Sequence, residues 1–332
     1  MRAGHLKWGR LAAALVLLAS LAFGSSVAAA ENAQPAPKPV GVIGEPTGTG
    51  QWPAVAEAVA SLRTHTLYHP AKMPDQKLPL LVWGNGACVD NGLMYAAFLR
   101  EIASHGFFVI SLGYPRMEGF GPRGAGAPPP AAPPPAATPA NGNRPPPVDP
   151  THASQFFDAI KWADAETNRQ GSPFFHKIDT DHIAVAGHSC GGLQAIRVSA
   201  SPRVSTTLVM DSGVFNEAPP VNLMELKVTK DELQKFHAPV AYINGGPTDI
   251  AFKNSVDDVS RIHQVPVFFA YNDSGHGGTY LTQPNGGAFA QMATKWLEWQ
   301  LKSDQEAGKM FVGPDCGYCT AKGWTVKDFI KQ

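Results

Sequence analysis

The sequence predicts an α/β protein in which a mostly parallel central sheet is flanked by helices on both faces. Short continuous apolar runs are typical of strands buried on both sides, and they alternate with stretches of helical apolar spacing. Glycine-rich turns follow several of these runs. Hydrophobic residues make up 44% of the 332 residues and charged ones 16%, so the composition permits a large core.

In the first half of the chain, residues 64–69 and 78–83 are predicted strands. Helical apolar spacing over residues 92–105 stops at Gly106, as expected for a helix that ends at a glycine. Residues 107–112 then form another buried strand. From residue 151 onward we expect helices at 151–165, 191–200, 254–263 and 288–301, and strands at 182–186, 206–210, 238–243 and 265–271.

The N-terminal residues resemble an export signal. The basic residues Arg2, Lys7 and Arg10 precede an apolar run over residues 11–23 and an A-x-A cleavage pattern. A membrane anchor is the alternative, but the run is too short to span a bilayer comfortably. We therefore predict a signal peptide over residues 1–30 and a secreted or periplasmic protein, with no stable membrane insertion after cleavage.

The remaining chain is predicted to be one domain. Residues 31–50 are rich in proline, glycine and alanine and are expected to form a flexible leader, and residues 51–332 form the domain. Residues 115–150 contain triple-proline runs and are predicted to be an extended insertion. The 27 basic and 27 acidic side chains balance, which argues against nucleic acid as a partner and favours an uncharged or weakly charged one.

A G-x-S-x-G pattern places Ser189 between a predicted strand and a predicted helix. In that context the serine stands on a tight turn with its hydroxyl exposed at the carboxyl edge of the sheet, which is typical of a catalytic nucleophile. A purely structural strand-turn-helix motif is the alternative.

The partners of such a serine follow in the order acid, then histidine. Asp249 follows the penultimate strand in a glycine-rich turn and is the predicted acid, while Asp211, also at a strand end, is the rival. His276 lies among glycines after the last strand and is the predicted base. His188 is beside the serine but is expected to point away from it.

Two backbone amides are predicted to form an oxyanion hole. One belongs to Cys190, directly after the nucleophile, and the other to Asn85, with Gly86 as the next choice. Trp83 and Tyr114 are candidates for the edge of the substrate cleft, although core packing is an equal alternative for Trp83.

Export makes disulfides plausible for the four cysteines. Cys88 and Cys190 both lie near the predicted oxyanion hole, and we hypothesise that they pair; two small buried thiols are the alternative. For the C-x-x-C of Cys316 and Cys319 a local disulfide is favoured over a redox-active thiol pair or a zinc site.

The ordered segments WGNGAC, AGHSCGG, NGGPTD and DSGHGG resemble secreted α/β-hydrolases of the dienelactone hydrolase, chlorophyllase and polyester-hydrolase-like branch. The resemblance covers residues 64–301 apart from the proline-rich insertion. It implies a serine esterase that cleaves small-molecule or polymeric carboxylic esters with a catalytic triad and without metal or organic cofactor. An amidase or peptidase with the same triad, and a non-catalytic binding module on the same fold, are the alternative functions.

Overall fold

The computed structural model describes residues 41–116, 150–219 and 226–330. The predicted signal peptide and most of the proline-rich insertion lie outside these residues, as does the first part of the predicted leader. In the described part, no helix is both long enough and apolar enough to cross a membrane.

A ten-stranded sheet forms the centre of the fold, in the order β1-β2-β3-β5-β4-β6-β7-β8-β9-β10. Its six central strands, from β5 to β9 in that order, are parallel, and β1, β2, β3 and β10 pair antiparallel at the two sides. The strands are β1 Val42–Thr47, β2 Ala54–Glu57, β3 His65–Pro70, β4 Leu78–Gly84, β5 Phe108–Leu112, β6 Ile178–His188, β7 Thr206–Met210, β8 Val240–Asn244, β9 Val267–Tyr271 and β10 Thr325–Asp328.

Within the described residues, seven α-helices accompany the sheet. They are α1 Ala96–Ser104, α2 Ser154–Asn168, α3 Cys190–Val198, α4 Phe252–Arg261, α5 Gly287–Lys302, α6 Gln305–Gly308 and α7 Gly317–Thr320. The predicted α/β architecture is confirmed, because every predicted strand and helix has a counterpart within a few residues.

Successive side chains of a strand point to opposite faces of the sheet, and an apolar core lies on each face. On β4, Leu81 and Trp83 pack in a cluster with α1 and α5, whereas Leu80 and Val82 pack in a cluster with α2. A third cluster joins α3 and α4 to β7 and β8. Helices therefore cover both faces, as the continuous apolar runs predict.

Three strands differ from the predicted organisation. Strand β1 occupies part of the segment predicted to be a loose leader, so that prediction is wrong for Val42–Thr47. Strands β2 and β10 are also absent from the predicted set. Strands β1 and β10 are edge strands with mostly exposed side chains, so they lack the apolar pattern that marks the central strands.

Candidate active site

The loops that follow the parallel strands meet at one edge of the sheet. Because β4, β6, β7, β8 and β9 run in the same direction, their carboxyl ends lie together. The predicted functional residues lie on the loops that follow these strands: Asn85 after β4, Ser189 and Cys190 after β6, Asp211 after β7, Asp249 after β8, and His276 after β9.

Ser189 stands in a strained turn between β6 and α3. Its φ of 52° and ψ of −117° are unusual for a residue with a side chain, and its own amide donates to the carbonyl of Met210 at 3.0 Å. The residue is half-buried, whereas its neighbours His188 and Cys190 are buried. The sharp reversal allows Ser189 to leave the sheet edge before the helix begins.

Glycines permit this turn because neighbouring backbones approach very closely. A Cβ at Gly191 would lie 2.1 Å from the carbonyl carbon and oxygen of Gly84, and one at Gly187 would lie 2.3 Å from the carbonyl of Gly191. Any side chain at these positions forces β4, β6 and α3 apart. The requirement for glycine at both ends of the G-x-S-x-G pattern is therefore steric.

Three side chains from three loops form a hydrogen-bonded series. His276 Nε2 lies 3.0 Å from Ser189 Oγ, and His276 Nδ1 lies 2.6 Å from Asp249 Oδ1. The structure thus brings the predicted nucleophile, base and acid together. An imidazole held in this way can accept the serine proton while the carboxylate stabilises the resulting positive charge.

Asp249 is held as an anion although it is only 4% exposed. Burial raises its pKa, but hydrogen bonds, led by those from His276 and the Ala251 amide, outweigh that effect, so the pKa lies below its usual value. The Ala251 amide donates to the same Oδ1 at 2.8 Å. A buried carboxylate beside the histidine therefore remains ionised.

His188, which was expected to point away from Ser189, bonds instead to the backbone of His276 and to Tyr95. Its Nε2 lies 2.7 Å from the carbonyl oxygen of His276, so it donates there, and its Nδ1 accepts from the Tyr95 hydroxyl at 2.7 Å. The Gly86 amide in turn donates to that hydroxyl at 3.3 Å. Burial and the nearby His276 lower the pKa of His188 to about 4, which keeps the imidazole neutral at pH 7.

The predicted oxyanion amides both lie at the turn that carries Ser189. Cys190 is the first residue of α3, where amide groups have no partner within the helix. The Asn85 amide nitrogen lies 2.7 Å from the position of a Cβ on Gly191, which places it against the same turn. Because the Gly86 amide is engaged by Tyr95, Asn85 is the better candidate of the two.

The buried side chain of Asn85 has a structural task. Its amide group donates to the carbonyls of Val89, Asn91 and Leu112 at 2.7–3.1 Å. These contacts shape the loop after β4 and leave the backbone, rather than the side chain, to face the turn. An asparagine at this place is therefore explained by loop geometry.

Cys88 and Cys190 form a disulfide-bonded pair, with their Cα atoms 5.3 Å apart. The hypothesised pairing is confirmed, and it joins the 3₁₀ turn Gly86–Cys88 to the first residue of α3. Cys316 and Cys319 form the second pair, as favoured for the C-x-x-C.

The two candidates for the cleft edge have different surroundings. Trp83 is 0% exposed and packs against Tyr95, Phe98 and Tyr280, so it belongs to the core and the cleft prediction is wrong for it. Tyr114 is half-buried, and its amide donates to Asp90 at 2.9 Å.

A cavity of about 390 Å³ adjoins the disulfide beside Ser189. Its lining includes Ala87, Thr151, His152 and Arg197. A larger cavity of about 820 Å³ is lined mainly by residues of α4, β9 and 327–330, and its lining does not include Ser189, Asp249 or His276. Among the described residues, no group of three or more His, Cys, Asp or Glu side chains is arranged to hold a metal ion.

No protein-family model matches the chain, and no curated protein matches it.

Proposed function

We propose that this protein is a secreted serine hydrolase of the α/β-hydrolase fold that cleaves carboxylic esters. The observation that carries the proposal is the series Ser189–His276–Asp249, with distances of 3.0 and 2.6 Å, on the loops that follow the parallel strands β6, β9 and β8. The order of the three residues along the chain is the one used by α/β-hydrolases.

In the proposed reaction, Ser189 Oγ attacks the ester carbonyl carbon while His276 Nε2 takes the hydroxyl proton. Asp249 holds the imidazole with Nδ1 protonated and stabilises the imidazolium that forms. The amides of Asn85 and Cys190 donate to the negatively charged oxygen of the tetrahedral intermediate. His276 then protonates the departing alcohol, and water, activated by the same imidazole, hydrolyses the acyl-enzyme and restores Ser189.

The substrate class is proposed from the resemblance to the dienelactone hydrolase, chlorophyllase and polyester-hydrolase-like branch. The cavity beside the Cys88–Cys190 pair is the proposed place for one arm of the ester, since Cys190 directly follows the nucleophile. Export is proposed from the N-terminal pattern, and the two cysteine pairs fit an oxidising compartment.

Hydrolysis of p-nitrophenyl esters from acetate to palmitate, beside p-nitroanilides of the same acyl groups, tests this proposal. We expect turnover of at least one ester, and we expect Ser189→Ala to lower kcat by at least about 10³-fold. Ser260→Ala is the matched control, because this exposed serine of α4 bonds only to the carbonyl of Asp257 in its own helix.

The controls separate the alternative functions. Cleavage of anilides without esters would assign an amidase instead. Equal ester hydrolysis by the wild type and Ser189→Ala, or no hydrolysis of either substrate series, would contradict the proposed esterase.

A further inference from the structure

Asp211 lies at the centre of the loops that carry the proposed acid and base. It follows β7, is 0% exposed and has a φ of 43°, a strained value for a residue other than glycine. The Gly245 amide donates to its Oδ1 at 2.6 Å, and the Tyr280 hydroxyl donates to its Oδ2. Gly245 begins the loop that leads to Asp249, and Tyr280 follows His276 by four residues, so Asp211 binds both loops.

Asp249 has one oxygen without a donor. Its Oδ1 accepts from His276 and from the Ala251 amide, whereas Oδ2 is buried and receives no hydrogen bond from a described N–H or hydroxyl group. The carboxyl groups of Asp211 and Asp249 are near enough that an interaction between them shifts the pKa of each. A proton on Asp211 would satisfy that orphaned oxygen.

Two adjoining buried carboxyl groups are not both ionised, because each negative charge opposes the other and burial opposes both. Burial, followed by the charge of Asp249, raises the pKa of Asp211 well above its usual value, while the pKa of Asp249 is lowered. The shared proton therefore belongs on Asp211.

The other titratable groups around Asp211 do not alter the assignment of the proton to Asp211 and of the negative charge to Asp249. Tyr280 and Tyr95 are buried phenols whose pKa values are raised by burial, so both are neutral. The His188 Nε2 lies 3.9 Å from Asp211 Oδ2, but this imidazole is neutral at pH 7, since burial lowers its pKa to about 4. Within the described residues, no lysine or arginine acts on Asp211.

We propose that Asp211 is a neutral carboxylic acid that donates its proton to Oδ2 of Asp249 and thereby positions the Asp249 carboxylate against His276. Asp211 is a positioning residue in this arrangement, because it acts on His276 through Asp249. The inference about catalysis rests on the proposed function, but the protonation of Asp211 does not.

The protonation state is tested by urea unfolding of the wild type and Asp211→Asn between pH 5 and pH 7. A neutral Asp211 in the folded state ionises on unfolding, so the folded state binds one more proton, and wild-type stability falls as pH rises. Relative to Asp211→Asn, the folded-to-unfolded ratio of the wild type should fall about tenfold per pH unit. A pH-independent ratio between the two proteins would overturn the proposal, whether or not the protein hydrolyses esters.

The positioning role is tested by the kcat of Asp211→Ala, Asp211→Asn and Asp249→Asn on the best ester. Loss of the donor should lower kcat roughly 10- to 100-fold in Asp211→Ala, and Asp211→Asn, which keeps a neutral N–H donor, should recover most of it. Asp249→Asn should lose about 10⁴-fold. The proposal would be overturned if Asp249→Asn kept the wild-type kcat while Asp211→Asn lost as much kcat as Asp211→Ala. That result would make Asp211 the acid of the series.

Discussion

At the scale of single residues, the site is held together by two hydrogen-bonded routes to His276. One runs through its imidazole to Asp249, and the other runs from its carbonyl through His188 to the Tyr95 hydroxyl. The second route ends at the Gly86 amide, next to the proposed oxyanion amide of Asn85. The proposed base and the loop of the proposed oxyanion amide are therefore connected through His188 and Tyr95.

Tyr95→Phe tests this second route. The substitution removes the donor to His188 Nδ1 and the acceptor for the Gly86 amide, so we expect a kcat about 10-fold lower with little change in KM. Stability should fall by about 1–3 kcal/mol, because a buried acceptor is left unpaired.

Tyr68→Phe is the matched control for Tyr95→Phe. Tyr68 is equally buried and donates to the Gly92 carbonyl at 2.5 Å, but this bond does not lead to His276. We expect a similar loss of stability in urea unfolding with kcat unchanged. Equal effects of the two variants on kcat would contradict a positioning role for Tyr95.

At the scale of elements, the contact of β4, β6 and α3 determines where Ser189 stands. The backbones of Gly84, Gly187 and Gly191 lie closer together than any side chain allows. The Cys88–Cys190 pair then ties the 3₁₀ turn after β4 to the start of α3. The close glycine contacts and the cysteine pair together fix the loop of Asn85 against the start of α3, where the two proposed oxyanion amides lie.

Gly191→Ala should destabilise the fold by about 1–3 kcal/mol, because its Cβ overlaps the Gly84 carbonyl. Gly41→Ala is the control, since a Cβ there meets nothing within 4 Å. Urea unfolding of both variants gives the comparison. Equal stability of Gly191→Ala and the wild type would show that β4 and α3 can separate without cost.

The double variant Cys88→Ser/Cys190→Ser tests the cross-link. The substitution removes a cross-link between residues that are 102 positions apart. In the chain-entropy model, a cross-link that closes a loop of roughly 100 residues stabilises the folded state by about 4.7 kcal/mol. We expect a large loss of stability together with a lower kcat.

Cys316→Ser/Cys319→Ser is the matched control, because it opens a separation of only 3 residues far along the chain. This control variant should lose less stability than Cys88→Ser/Cys190→Ser, and its kcat should equal that of the wild type. A wild-type kcat in the Cys88→Ser/Cys190→Ser variant would show that the proposed oxyanion hole does not need this cross-link.

At the scale of the whole molecule, the alternation of buried strands and helices was enough to predict the α/β layers. Ser189, Asp249 and His276 were also predictable, because each follows a parallel strand and such ends meet at one edge. The resulting distances, and the pairing of Cys88 with Cys190, then follow from the assembled sheet.

Other features could not be predicted, for physical reasons. Edge strands such as β1 carry little apolar pattern, because one side of each has no neighbour. The contacts of Tyr95 with His188 and of Asp211 with Tyr280 join residues 93 and 69 positions apart, which local periodicity does not reveal. Trp83 was ambiguous for the same reason, since only the packing of α1 and α5 against β4 covers it.

The most direct measurement of the central claim is covalent labelling of Ser189 by a fluorophosphonate, followed by peptide mass spectrometry. The reagent needs an activated serine but no particular substrate, so it tests the series independently of ester specificity. We predict one adduct per chain, located on Ser189, and a labelling rate at least about 10²-fold lower in His276→Ala. No adduct on Ser189, or equal labelling rates in the wild type and His276→Ala, would contradict activation of Ser189 by His276.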